Sequence, residues 1–368
     1  PEATTAPEVI EPTAVVETGE EASGESGVNW RQFEGTTVTF LGTQHPWNDA
    51  LETLIPEFEE LTGIDVIHDV YPDSEFQQKR LIALSSGDTT PDLFFLDQTG
   101  VLAEAGWIEP LDKYFEDATL FDDSWYKRDD VFAGAWGWSN YKGTQYGIPI
   151  TAESETLFYR TDIFEELGLE VPETFDELYE AAVTIKEQKG IAGFASRGTR
   201  GAGLVSWPWT GYVLSFGGHH MDVNTYQPTY TDPKTVEATA FYAKILQDAG
   251  PEGVANYNWT EVVADFLQGK VAMVTDSSNF IVSFNDPEQS QVAGNVGLAL
   301  FPHVEGMEPS PNQWYWQLGM NANSQNKEAT FLFMQWLSSP ETTMKSIERS
   351  GITPQRQSVM ESDLFIER

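Results

Sequence analysis

The chain has 368 residues, enough for two cores rather than one, and 40% of them are hydrophobic, including 12 Trp. Its 58 Asp and Glu against 20 Lys and Arg give a formal charge of −38, which excludes nucleic acid as a partner because the phosphates would be repelled. Zero Cys excludes disulfides, thiolate metal sites and thiol nucleophiles within the chain, and no apolar run reaches the roughly 18–20 residues of a membrane span.

Residues 1–35 begin PEATTAPEVIEPTAVVETGEEASGESGVN, a stretch rich in Pro, Glu, Thr, Ser and Gly with no amphipathic period. Such a segment cannot offset its ordering entropy by burial, so it is expected to be a disordered acidic tether, dispensable for binding. From residue 36, TVTFLG reads as a strand and DALETLIPEFEELTG as a helix, with Pro56 either kinking or starting it and Gly63 ending it. IDVIHDVY, SEFQQKRLIALSSG and PDLFFLDQ continue as strand, helix and strand. That alternation predicts a parallel sheet with ligands at the carboxyl ends of its strands. It places His45, Trp47, Asp97 and Gln98 at one mouth.

YGIPITAESETLFYRTDIF, residues 146–164, reads as a strand passing through a polar turn at Glu153 and Glu155, able to leave one folded unit and enter another. ETFDELYEAAVTIKEQKG is a helix with a capping box from Thr174 to Glu177. GFASRGTRGAGLVSWPWTGYVLSFGGHH combines strand, Gly-rich loop and aromatic segments; read as extended chain, it sends Trp207 and Trp209 to similar sides of Pro208. Two amphipathic helices follow, then the strands VAMVTD, NVGLALFP and YWQLGMNA, and the helices NKEATFLFMQWLSSP and PETTMKSIERSG. His219, His220 and Asp222 do not suggest a metal, because adjacent histidines on an extended chain point apart.

Seven segments in order, FEELTGIDV, GDTTPDLFFLD, AGWIEPLD, YGIPIT, FLQGKVAMVTDSS, SQNKEATFLFMQWLSSPE and GITPQRQS, give the chain from 36 to 358 a resemblance to the extracellular solute-binding proteins of sugar ABC importers. The RGTRG loop, VTDSSNF and the W-Y-W of NQWYWQLGM are similar to the branch that handles sugar alcohols such as sorbitol and mannitol. The resemblance implies an α/β, two-lobed periplasmic-binding-protein fold of type II, each lobe a mostly parallel sheet flanked by helices, with the ligand cleft at the hinge. Lobe 1 would hold 36–149 and a return over 319–357, and lobe 2 would hold 150–318. The family pattern continues after GITP with several more helices, absent from this sequence, whose last residues are 358–368. The resemblance also implies an extracytoplasmic monomer, lipid-anchored through a Cys preceding residue 1, that hands its ligand to membrane permease subunits. No cofactor or metal is expected.

A polyol carries many hydroxyls and no charge, so its site needs carboxylates, amides and Arg for the hydroxyls and aromatic faces for the C–H surfaces. The expected contacts are His45, Trp47, Asp97, Gln98, Glu153, Arg197, Trp207, Trp209, Asp276, Asn279, Trp314 and Trp316. Each has a plainer reading: loop packing for His45 and Trp47, a helix cap for Asp97, a solvated hinge carboxylate for Glu153, a surface ion pair for Arg197, and burial for the Trp. Asp97 and Asp276, just past strands, are expected to bind hydroxyls without being needed for folding. Two other readings stay open: a glycoside hydrolase, given the abundant carboxylates and Trp, and a binder of longer oligosaccharides.

Overall fold

The computed structural model describes residues 26–366, except 202 and 223. Of the expected tether, residues 1–25 lie outside the described residues, and from Ser26 the chain departs from that expectation. Val28 is buried, and Trp30 meets Trp125 edge-on with ring centroids 5.1 Å apart. Val28, Trp30 and Phe33 supply the apolar contacts that the preceding acidic stretch lacks, so their burial offsets the ordering entropy.

β1 (Thr37–Thr43), α1 (Pro46–Thr62), β2 (Asp65–Tyr71), α2 (Asp73–Ser86) and β3 (Leu93–Leu96) follow in order. α1 starts at Pro46, carries Pro56 inside it, and ends at Gly63, whose φ of 71° is the left-handed conformation that glycine adopts without strain. β4 (Gly147–Arg160) is the long strand, and α3 (Phe175–Lys189) begins with the expected capping box. Thr174 Oγ1 accepts from the Glu177 amide at 3.3 Å, and Glu177 Oε2 accepts from the Thr174 amide at 2.9 Å. α4 (Ser206–Ser215), α5 (Pro233–Ala249), α6 (Trp259–Leu267), β5 (Met273–Ser277), β6 (Val296–Ala299), β7 (Gln313–Met320), α7 (Lys327–Leu337) and α8 (Pro340–Ser350) complete the frame.

The strands form one curled sheet in the order β2-β1-β3-β7-β4-β5, with β6 also on β4. Here the expectation of mostly parallel sheets is corrected. Only β1 with β2 and β3 is parallel; β3–β7, β7–β4, β4–β5 and β4–β6 are antiparallel. The reason is that β4 and β7 run side by side in opposite directions, and every later strand joins them. Among the described residues, parallel pairing in the second half is limited to single bridges from Thr174 to His303, Ala192 to Val271 and Ala195 to Val274.

β4 changes partners along its length. Gly147–Pro149 and Thr151–Ser154 pair with β7, and Glu155 onward pairs with β5 and β6. Ile150 is the extra residue of a bulge, since Pro149 faces Gln317 and Thr151 already faces Trp316. Burial follows this change of partners. Phe40, Phe58, Phe94, Leu318 and Phe333 share the first core, whereas Leu157, Leu178, Tyr212, Ile245 and Met273 share the second. Phe158, next to Leu157, faces the opposite side of the sheet and packs with Val262, Phe266 and Phe284. Each large apolar side chain so buried contributes roughly 1.5–3 kcal/mol.

Candidate functional site

On the first lobe, the end of β3 carries Asp97, which α2 holds in place. The nearly buried Arg80 pairs with Asp97 Oδ1 and donates to the Phe95 carbonyl at 2.7 Å, while Gln77 Nε2 donates to Asp97 Oδ2 at 2.8 Å. Asp97 makes no helix cap; Gln98 occupies the position before the next helix, exposed and at φ 52°. His45 caps α1, its Nδ1 accepting from the Trp47 amide at 3.2 Å, and its ring lies 4.6 Å from that of Trp316.

Where β4 meets β7, the side chains of Glu153, Trp314 and Trp316 share one face, as alternation along β7 predicts. Trp316 Nε1 donates to Glu153 Oε1 at 2.6 Å, and Ser277 Oγ, from the end of β5, donates to Glu153 Oε2. Burial pushes the Glu153 carboxyl above the usual carboxylate range, against the downward pull of those two donors and of the Arg197 charge. Two donors leave part of a carboxylate's accepting capacity free for ligand hydroxyls.

Asp276 and Arg197 form a bidentate pair: Arg197 Nε donates to Asp276 Oδ2 at 2.9 Å and Nη2 to Oδ1, with Asp276 at 0% exposure. Arg197 Nη1 donates to the Gly203 carbonyl at 2.7 Å, and the guanidinium stands 4.8 Å above the Trp207 ring. The pair is buried, so the surface ion pair considered for Arg197 is replaced by a desolvated one. The expectation that Asp276 is not needed for folding falls with it.

A continuous line of contacts therefore runs from His45 through Trp316, Glu153 and Ser277 to Asp276, Arg197 and Trp207. Six expected contacts are not links of it: Asp97, Gln98 and Trp314 stand beside it on the first lobe, and Trp47, Trp209 and Asn279 are otherwise engaged. Trp47 is 2% exposed and wedged edge-on between Phe40 and Phe95, so it is a core residue. Trp209 lies on α4 rather than on extended chain; two helical residues differ by about 200°, so it turns from Trp207 toward α5, donating to Thr239 Oγ1 at 3.0 Å. Asn279 is buried, its Oδ1 accepting from the Thr353 amide at 2.8 Å.

Trp138 was not foreseen. It lies edge-on to Trp314 at 5.5 Å, and with Gln98, Asn140, Tyr141 and Trp314 it lines a cavity of about 480 Å³. That is within the roughly 300–1,000 Å³ of small-molecule sites. A larger concavity, about 1210 Å³, borders α3 and α5 but touches none of the expected residues. Its lysines are engaged, Lys186 with the Asp248 and Gly250 carbonyls and Lys270 with Asp265. Ser277 and Glu155 were also underread, although Glu155 follows Glu153 by two residues and so shares its face.

Burial lowers the His45 pKa from its ordinary 6.5 to about 3, in keeping with an Nδ1 that accepts a hydrogen bond. Between those values the unfolded chain binds the proton and the folded one does not, so this group makes stability fall as pH drops from 6.5 toward 3. Urea midpoints of the native protein and of His45→Asn, which keeps a capping oxygen, are expected to diverge across that window, with the variant less acid-sensitive. Parallel slopes would show that His45 titrates normally.

The bacterial extracellular solute-binding protein family matches residues 44–344, and the chain belongs to that family. It is 29% identical over 353 residues to the erythritol/L-threitol-binding protein of Mycolicibacterium smegmatis, covering 91% of this chain and 74% of that protein. In structure it is similar to an ABC transporter solute-binding protein of Agrobacterium radiobacter in complex with ribitol, with a TM-score of 0.83, 26% identity, and 91% and 84% of the two chains covered. A counterpart from Agrobacterium vitis with bound D-mannitol gives a TM-score of 0.79 at 26% identity, covering 90% and 80%. The two-lobed α/β architecture is that of these proteins.

Proposed function

We propose that this protein is the solute-binding component of an ABC importer, capturing an acyclic polyol between its lobes and delivering it to permease subunits outside the cytoplasm. The observation that carries this reading is the run of alternating aromatic and hydrogen-bonding side chains made by His45 at the cap of α1, Trp316 and Glu153 on the two strands that run between the lobes, and Ser277 at the end of β5. Carboxylates and hydroxyls suit polyol hydroxyls, and indole faces suit the carbon backbone. The relatives that bind ribitol, D-mannitol and erythritol or L-threitol support the same ligand class. Closure on the ligand follows if the ligand binds the closed state better than the open one.

We further assign ligand contact to Asp97, Gln98, Trp138 and Trp314 on the first lobe, with Arg197 and Trp207 supporting from the second. A hydrolase would need two carboxyls free to protonate and attack across one bond; Glu153 and Asp276 are both occupied by protein donors. The named relatives are transport proteins as well.

Thermal shift and calorimetry with erythritol, ribitol, D-mannitol, maltose and amino acids test the assignment. A polyol is expected to stabilise most, by about 2.7 kcal/mol at a hundred times its dissociation constant. Strongest stabilisation by an amino acid or a peptide would overturn it.

A further inference from the structure

We propose that Glu155 is a positioning residue of the second lobe, setting how Arg197 and Trp207 are presented to the cleft and thereby the affinity for ligand. The inference deepens the polyol reading and rests on it only for the binding arm of its test. Glu155 follows Glu153 on the same face of β4 and pairs across the ladder with Ser277, the residue whose hydroxyl holds Glu153. It is 1% exposed, yet neither carboxyl oxygen reaches a hydrogen bond of normal geometry, the Thr275 side chain and the Asn312 backbone being the donors beside it. In a protein whose buried polar groups are otherwise mostly paired, such an acid calls for an account.

The packing around it is close. A Cβ on Gly211 would stand 2.0 Å from Glu155 Oε2 and 3.0 Å from the Asn312 amide nitrogen, so a side chain there would displace the Glu155 carboxyl from its place against α4. The same helix carries Trp207, whose ring underlies the Arg197 guanidinium. The Trp207 carbonyl accepts from Asn312 Nδ2 at 2.9 Å, and the Asn312 carbonyl accepts from the Glu155 amide at 2.8 Å. Glu155 is thus the wedge at which α4 and the approach to β7 meet β4. Any change in its volume or charge is passed to Trp207 and Arg197.

The charged and titratable groups facing it are Asp276 on β5, Arg197 beyond the 192–195 bridges, Tyr212 on α4 and Tyr242 on α5, with Glu153 on its own strand. Burial, and then the Asp276 charge, push the Glu155 carboxyl well above the ordinary carboxylate range. As a neutral acid it leaves Arg197 to Asp276. Once ionised it becomes a second carboxylate competing for one guanidinium, drawing Arg197 off the Trp207 face. A folded-state pKa raised in this way favours the native geometry at low pH, and that geometry is lost as pH rises through the raised value.

The experiment compares the intact protein with Glu155→Gln, which keeps the shape and cannot ionise. Infrared difference spectra taken as pH is raised are expected to show the C=O stretch of a protonated carboxylic acid persisting above the ordinary carboxylate range in the native protein and absent from the variant. Ribitol affinity of the native protein is expected to fall by about tenfold or more as pH rises through the range in which that band is lost, while the variant stays flat. A native spectrum without that band, or identical pH profiles for the two proteins, overturns the proposal. If no polyol binds either protein at any pH, the polyol reading fails, and the infrared comparison still decides the state of Glu155.

Discussion

Asp276→Asn is expected to lower the free energy of unfolding by about 3–5 kcal/mol. Asp276 is 0% exposed and is the carboxylate partner of an Arg197 that is itself buried. The amide keeps one oxygen but turns an NH2 toward the guanidinium donors, so a buried cation is left without a counter-charge. Replacing both members, as Arg197→Met with Asp276→Leu, removes the charge together with its partner and is expected to recover most of that stability. The double variant should still fail to bind ligand, which separates the role of the pair in folding from its role in the cleft. Denaturant unfolding read by Trp fluorescence measures the first effect and calorimetry the second. An Asp276→Asn protein that unfolds at the native midpoint would show that the pair is solvated.

Trp316→Phe is expected to weaken polyol binding by roughly ten- to a hundredfold, the equivalent of losing a hydrogen bond to a charged group at about 1.5–3 kcal/mol. The substitution retains an aromatic ring against His45 and Phe95 but removes the Nε1 donor to Glu153. Glu153 is then held by Ser277 alone and is free to swing out of the cleft. Trp316→Ala adds the loss of both ring contacts and should also lower the melting temperature. Calorimetric affinities for Trp316→Phe matching those of the native protein would place the ligand away from this face.

The sequence disclosed what short-range chemistry controls. The capping box at Thr174, the glycine stop at Gly63 and the strand through Glu153 are local patterns and are present. The polar turn expected at Glu153 and Glu155 is not: both lie within the continuous strand Gly147–Arg160, whose irregularity is at Ile150. The alternation of Trp314 and Trp316 was legible for the same reason. Trp207 and Trp209 were misread because WPW looks extended, whereas Pro208 sits near the start of a helix, where its missing N–H costs little. By sequence Trp47 falls in a mouth loop, where a binding residue would stand; it is the second residue of α1, and the helix turns it into the core. Asp276 and Arg197 were chosen separately, since nothing local couples residues 79 apart in sequence. Their mutual pairing is a property of the folded sheet, and so is the burial of Glu155.

The bulge at Ile150 bears on which changes this chain can absorb. Pro149 and Thr151 face consecutive residues of β7, so the extra residue is taken up locally and the facing of the residues beyond it is set by their pairing with β7. Deleting Ile150 would make the ladder with β7 even and leave Thr151 opposite Trp316 and Glu153 opposite Trp314, so the faces beyond it would be kept. Deleting Ala152, inside the even ladder, would instead set Glu153 opposite Tyr315 and Ser154 opposite Trp314, exchanging the faces. Point substitutions along 151–160 can therefore retune the cleft one group at a time, whereas a change of length there exchanges all of them at once. Divergence of this segment is expected to proceed by replacement of side chains at constant spacing, with insertions and deletions confined to the loops outside it.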